Sequence, residues 1–160
     1  MSQMHSIAVL MMVLMAVSAF PDGGPVDACV KPKPNQPYHG QTKPQPASTN
    51  PYAIRASTDR YRPGTQVTVR VEGASNFQGF FIQARDAQTN EWIGSFSKTA
   101  NTKAHGECSA VTHSDPRDKK LATLVWNAPN NKQGSVYFTG TVLKDYGTYW
   151  VDVVSQVARK

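Results

Sequence analysis

The sequence predicts an all-β protein, a Greek-key β-sandwich that follows a proline-rich arm. Short runs of alternating apolar and polar residues recur between positions 52 and 157, and turn-forming residues separate them about every ten positions. No stretch repeats its apolar residues with the 3.6-residue period of an amphipathic helix. Seven or eight short strands of this kind are typical of a sandwich of two antiparallel sheets.

The first nineteen residues have the pattern of a secretory signal peptide. An unbroken apolar run covers residues 7–17, which is shorter than the roughly 20 residues that a membrane-spanning helix needs. The small residues Val17, Ser18 and Ala19 follow, so cleavage is predicted after Ala19. No second run approaches membrane length. We therefore expect a secreted, extracellular protein that is not anchored in a membrane.

Residues 20–51 form the predicted arm. Its prolines alternate with lysine and glutamine, and proline at this density removes backbone donors and favours extended geometry. The two cysteines, Cys29 and Cys108, are most simply a disulfide in an oxidising compartment. The rival interpretation, a reactive thiol, is disfavoured because Glu107 beside Cys108 opposes a thiolate. The arm is expected to run along the surface of a domain at 52–160, held at Cys29.

The strands of that domain are predicted in order from their period of two. The clearest signal is the alternation of Val67, Val69 and Val71 with polar residues after the turn at 62–65. Residues 91–96 are predicted to be one strand with Trp92, Gly94 and Phe96 on one face. Residues 149–157 are predicted to be the closing strand, with alternate residues on opposite faces. The other predicted strands are 52–56, 80–85, 108–112, 122–126 and 136–142.

The formal charge of +6 favours anionic partners such as lipopolysaccharide or sulfated glycans. Four arginines, Arg55, Arg60, Arg62 and Arg70, surround the first two strands and could form one basic face that recognises phosphate or sulfate. The alternative is an ordinary solvated surface. No nucleic-acid partner is predicted.

Aromatic residues suggest a second kind of binding surface. Tyr146, Tyr149 and Trp150 lie together near Gly147 and could form a platform for a glycan. The alternative is hydrophobic packing at the end of the sandwich. Trp126 is the strongest core candidate among the tryptophans. The candidate ligand-binding residues are therefore Arg55, Arg60, Arg62, Arg70, Tyr146 and Trp150.

Catalysis and metal binding are not predicted. His105, Cys108 and His113 fit no standard zinc spacing, and we expect His105 to be solvated and His113 to bond locally beside Ser114 and Asp115. The consecutive residues His113, Ser114 and Asp115 point in different directions and cannot converge as a triad. The sequence has no nucleophile elbow, phosphate loop or HExxH motif. No enzyme activity and no cofactor are expected.

Four blocks occur in an order that resembles the reeler (reelin-type) domain: FQGFFIQARD at 77–86, CSAVTHS at 108–114, LVWNAP at 124–129 and GSVYFTGTV at 134–142. The resemblance covers about 20–157 and is strongest to the short secreted form, the insect haemolymph defence proteins. It implies an immunoglobulin-like sandwich and innate immunity against bacteria or fungi. The implied partners are microbial surface polymers, with antimicrobial action as a further expectation.

Two other functions remain open at this point. One is an extracellular-matrix module that binds sulfated glycosaminoglycans, as the larger reeler proteins suggest. The other is a structural or carrier protein of body fluid. The resemblance implies no catalytic residues.

Overall fold

A computed structural model of the chain describes residues 22–37 and 40–159. Two β-sheets pack face to face, which confirms the predicted all-β sandwich, and the described helices are three short 3-10 turns. No helix in these described ranges has the length and apolar character needed to cross a membrane. The predicted signal peptide at 1–19 lies outside the described residues.

The first sheet has five strands in the order β11-β1-β3-β8-β5. Adjacent strands in this sheet run antiparallel, except that β1 and β11 are parallel. The bounds are β1 Tyr52–Ala56, β3 Gln66–Phe77, β5 Ser95–Phe96, β8 Lys119–Asn127 and β11 Gln156–Val157.

The second sheet has the order β10-β9-β4-β7-β6, and the short strand β2 pairs with the start of β9. All its pairs are antiparallel. The bounds are β2 Arg60–Tyr61, β4 Gly79–Asp86, β6 Thr102–His105, β7 Ala110–His113, β9 Gly134–Asp145 and β10 Thr148–Val154.

The core lies between the two sheets and is built from the alternating residues that the sequence pattern places inward. Val67, Val69 and Val71 are fully buried from the first sheet, and Ile82 and Phe138 are fully buried from the second. Trp126 is fully buried as predicted; its ring meets those of Tyr61 and Phe138 edge to face, and its Nε1 donates to Ile93 O at 2.9 Å. Burial of so many large side chains supplies the main driving force for folding.

The N-terminal arm adds a third layer on the outer face of the second sheet. The predicted disulfide between Cys29 and Cys108 is present. Around it, a second apolar cluster joins both cysteines with Ala28, Phe81 and Ala110. Gly24 fits directly over Phe81, because a Cβ at this position would lie 2.7 Å from the ring. The arm is therefore packed on the sheet over part of its length.

The arm is held at more points than the single one that was expected. Gly24 N donates to Thr112 Oγ1 at 3.0 Å, Gln45 N donates to Tyr149 O at 2.8 Å, and Trp150 Nε1 donates to Thr49 Oγ1 at 3.0 Å. Prolines leave the arm few backbone donors; Gly24 N and Gln45 N bond to the sheet, and other donors of the arm bond within it.

The predicted strand at 91–96 is wrong. Gly94 adopts φ +65°, a left-handed conformation that interrupts the alternation of faces. Trp92 forms a single bridge to Arg85 of the second sheet, whereas Ser95–Phe96 joins the first sheet. The chain thus crosses between the sheets here, which buries Ile93 and leaves Trp92 on the outside.

The predicted single strand at 149–157 is also wrong, because it is divided between the two sheets as β10 and β11. A β-bulge lies between Trp150 and Val153, and Asp152 there adopts φ +53°. The bulge adds one residue to β10, which shifts the alternation of faces so that Trp150 and Val153 are both buried in the core.

Candidate functional site

The predicted basic face is divided in the structure. Arg55 and Arg70 are direct cross-strand partners on β1 and β3, and their side chains are 41% and 51% exposed. Glu72 lies with them: its carboxylate is 2.9 Å from Arg55 Nε and 3.5 Å from Arg70 NH2. This carboxylate offsets part of the positive charge that the pair offers to an anion.

Arg60 and Arg62 lie elsewhere. Arg60 is on β2 and pairs with Ser135 of the second sheet, and Arg62 is in the exposed turn that follows. The chain leaves the first sheet after Ala56, so Arg60 lies in, and Arg62 directly follows, a strand that pairs with the second sheet. The four arginines therefore do not share one face.

The predicted aromatic platform is largely internal. Trp150 is 6% exposed and packs edge to face on Tyr52, so the prediction that it binds a ligand by stacking is wrong. Tyr149 is buried and its hydroxyl donates to Thr42 O at 3.0 Å. Tyr146 is 41% exposed. Tyr149 and Trp150 are instead packed at the end of the sandwich, which was the alternative interpretation.

The cationic side chains around the turn before β8 bond to nearby groups of the protein itself. Lys119 Nζ donates to Gln78 O, Asp115 O and Arg117 O at 2.7–2.9 Å. Arg117 and Lys119 both pair with Asp115, and the Arg117 hydrogen bonds hold the pKa of the Asp115 carboxyl well below its usual range. Asp115 offsets part of their positive charge, and the Lys119 side chain is 10% exposed whereas the Arg117 side chain is 75% exposed.

Both histidines near Cys108 are buried, which corrects two expectations. His105 is not solvated: its ring stacks on Phe81 and its Nε2 lies 2.8 Å from Gly24 O. The partners of His113 Nδ1 are Phe80 across the sheet and the neighbouring Thr112, and not Ser114 or Asp115: Phe80 N donates to it at 3.1 Å, Phe80 O lies 3.2 Å away and Thr112 Oγ1 lies 3.3 Å away. Burial lowers the pKa of His113 below its ordinary value of 6.5. Across the residues that the structure describes, no His, Cys, Asp and Glu side chains gather as a possible metal site.

A different surface has the geometry of a binding platform. Trp92, Arg85 and Tyr137 form a row across neighbouring segments, because Arg85 of β4 bridges to Trp92 on one side and pairs with Tyr137 of β9 on the other. We call this row the platform row. Trp92 is 38% exposed, and the Arg85 guanidinium lies 5.4 Å from the centre of its ring. This is a cation–π arrangement at the surface.

Buried groups fix the side chains of the platform row. Gln83 is fully buried, and its Oε1 accepts from Trp92 Nε1 at 3.1 Å and from Arg85 Nε at 3.0 Å. Arg85 NH1 also donates to Asn90 O at 2.7 Å, and the Tyr137 hydroxyl bonds to Asn90 Oδ1. An exposed tryptophan and an arginine held in this way lose little side-chain entropy when a ligand binds.

The turn beside the platform row depends on Asp86. Its carboxylate accepts from Gln88 N, Thr89 N and the Tyr61 hydroxyl at 2.8–3.0 Å, and Lys132 Nζ lies 2.9 Å away. The hydrogen bond from Lys132 is the largest of the effects that hold the pKa of Asp86 well below its usual range. Asp86 therefore remains ionised and fixes the turn that carries Asn90.

Sequence reasoning missed the platform row because it carried the strand alternation through Gly94. That alternation placed Trp92 on the same face as Phe96. An isolated glycine within a strand pattern signals a break or a close backbone approach, and Gly94 was the available signal. The burial of Gln83 had no signal of this kind.

The comparisons with known proteins agree on one family. A family model described as the Reeler domain matches residues 27–160. Putative defense protein 3 from Antheraea mylitta is 30% identical over 156 residues, which cover 93% of this chain and 91% of that protein. Putative ferric-chelate reductase 1 from Xenopus laevis is 32% identical over 148 residues, but the match covers 24% of the reductase.

The fold has a counterpart among solved structures. The crystal structure of the human F-spondin reeler domain superposes with a TM-score of 0.57 over 76% of this chain and 96% of that chain. The two sequences are 22% identical there, so this likeness concerns the fold alone. It supports the immunoglobulin-like sandwich.

Proposed function

This chain belongs to the Reeler domain family, and on that premise we propose that it is a secreted defence protein that binds the surface polymers of bacteria or fungi. The observation that carries the proposal is its similarity to an insect protein named for defence, which extends over 91% of that protein's length. The disulfide between Cys29 and Cys108 supports secretion, because disulfides persist in oxidising compartments.

The platform row is the surface on which we place the binding. The face of Trp92 suits the apolar face of a sugar ring, and the Arg85 guanidinium beside it suits a phosphate or carboxylate of the same polymer. Microbial polymers such as lipopolysaccharide carry both groups. Growth inhibition would follow from coating or aggregating cells.

The reductase relative does not alter this proposal. The chain spans about a quarter of that protein's length, and the activity in its name is a property of the whole protein. The second candidate is a module that binds sulfated glycosaminoglycans. The net charge of +6 and the exposed Arg60 and Arg62 favour it.

Binding to immobilised lipopolysaccharide, peptidoglycan, β-glucan and heparin, measured across a salt series, tests the proposal. We expect saturable binding to a microbial polymer, and about fivefold weaker binding for Trp92→Ala, because stacking on an aromatic ring is worth about 1 kcal/mol. Leu121→Ala, which removes an exposed apolar side chain from the first sheet, is the matched control.

The outcomes separate the candidates. Unchanged binding by Trp92→Ala together with weaker binding by the triple variant Arg55→Ala, Arg62→Ala, Arg70→Ala would move the site to the arginines. Binding to heparin alone would identify a matrix module. Absence of binding to every polymer would contradict the defence mechanism.

A further inference from the structure

A cleft of about 140 Å³ lies between the arm and the outer face of the second sheet. We call it the arm cleft. Phe81 and Leu143 line it from the sheet, Pro25 and Pro37 line it from the arm, and Tyr146 lies at its margin. It is half open to solvent, and almost all of its lining surface is apolar. None of the residues proposed for polymer binding above, apart from Tyr146, belongs to it.

The arm cleft is held open by covalent and polar attachments. On one side, the disulfide fixes the arm to the 3-10 turn at Gly106–Cys108, and the hydrogen bond from Gly24 N to Thr112 Oγ1 fixes it to the following strand β7. Within the arm, Asn35 N donates to Ala28 O at 2.8 Å, which keeps the segment folded back on itself. A site that is already formed binds a small molecule without a large ordering cost.

Two polar atoms at the arm cleft would orient a ligand that binds there. Among the described residues, Asn35 Oδ1 is buried without a hydrogen-bond partner, and Asn35 lines the arm cleft. A buried acceptor of this kind is costly unless something satisfies it. A donor from a ligand would satisfy it.

The second atom is a nitrogen of His113, which also lines the arm cleft. Phe80 O already accepts from Thr112 Oγ1 at 2.8 Å, whereas the buried Phe80 N needs an acceptor and has His113 Nδ1 at 3.1 Å. His113 Nδ1 also lies 3.2 Å from Phe80 O, but a backbone N–H can only donate, so we assign Nδ1 of the neutral ring as the acceptor and place the proton on Nε2. His113 can donate from Nε2 to a ligand.

From this geometry we propose that the arm cleft binds a small neutral molecule that consists of one aromatic ring or a short alkyl chain with a hydroxyl group. The volume sets the size, since an apolar cavity of about 150 Å³ in another protein accepts benzene. A hydroxyl group accepts from the histidine Nε2 and donates to Asn35 Oδ1. Asp145 is the one charged residue among the described lining residues, so an anion is disfavoured.

Phenol and toluene are matched probes, because they have nearly the same shape and differ in the hydroxyl group. We expect saturable shifts of the amide resonances of Phe81 and Thr112 when either probe is titrated into the protein. Phenol should bind with a dissociation constant on the order of 1 mM or lower, and more tightly than toluene.

Two variants test the location and the polar contact. Leu143→Trp should fill the arm cleft and abolish the shifts, whereas Leu121→Trp on the first sheet should not. His113→Asn keeps an acceptor for Phe80 N but removes the Nε2 donor. It should weaken phenol binding about tenfold and leave toluene binding unchanged, which also shows that the variant is folded.

Three results would overturn the proposal: no shift up to the solubility limit of phenol, equal phenol binding by Leu143→Trp, or equal phenol binding by His113→Asn. The site is independent of polymer binding. A failure with phenol therefore leaves the defence function as it stands, and the reverse also holds.

Discussion

Replacing both cysteines by alanine should remove much of the stability of the fold. Cys29 and Cys108 are 79 residues apart, so their bond closes a long loop in the unfolded chain. The chain-entropy relation gives about 15 cal/mol/K for a loop of this length, or about 4.5 kcal/mol at 25 °C. Typical domains unfold with about 5–15 kcal/mol, so the loss is a large fraction of the total.

Urea unfolding followed by tryptophan fluorescence measures this loss, because Trp126 is fully buried in the native core. The double variant Cys29→Ala, Cys108→Ala should unfold at a lower urea midpoint. The dependence of the unfolding free energy on urea should become steeper, since the unfolded chain without the link exposes more surface. The reduced wild-type protein should match the variant.

A loss below about 1 kcal/mol would refute the reasoning. It would mean that the unfolded chain is not restrained by the link, or that the cluster of Ala28, Phe81 and Ala110 does not depend on it. A loss that the reduced wild-type protein does not reproduce would point instead to damaged packing at the substituted positions.

Two further predictions concern ionisable groups. Asp86→Asn should lower the free energy of unfolding at pH 7 by about 2–4 kcal/mol. Lys132→Met should lower it much less, because the Lys132 side chain is 42% exposed and solvent screens its charge. Urea unfolding compares the two variants, and equal losses would contradict this prediction. Burial lowers the pKa of His113 below 6.5, so the contribution of this residue to stability is present above about pH 6.5 and is lost as the pH falls below that value. The free energy of unfolding of the wild-type protein should therefore fall between pH 7 and pH 5 relative to that of His113→Asn. Parallel profiles of the unfolding free energy against pH would contradict this prediction.

The core of the fold was predictable because it depends on local alternation. Val67, Val69 and Val71 are buried as their period of two requires, and Trp126 continues the pattern on the neighbouring strand. Alternation predicts which face of a strand is buried, and this holds wherever the strand lies in the sheet. The disulfide was predictable because the chain offers just one cysteine pair.

The candidate site was not predictable for a related reason. Gly94 and the bulge before Val153 change the face on which later residues lie, and alternation cannot show such a change. Phe81 is buried on the outer face of the sheet by the arm, a segment far away in sequence. The division of the four arginines depends on the sheet that β2 joins, which is a tertiary property.

The edges of the two sheets have a consequence for the protein at high concentration. Both edge strands of the first sheet, β5 and β11, are two residues long. On the longer edge strand β10 of the second sheet, the bulge and the bond from Gln45 N to Tyr149 O interrupt the row of free backbone groups. Edges of this form give another molecule little to pair with, which opposes strand-to-strand aggregation when many copies of the protein are close together.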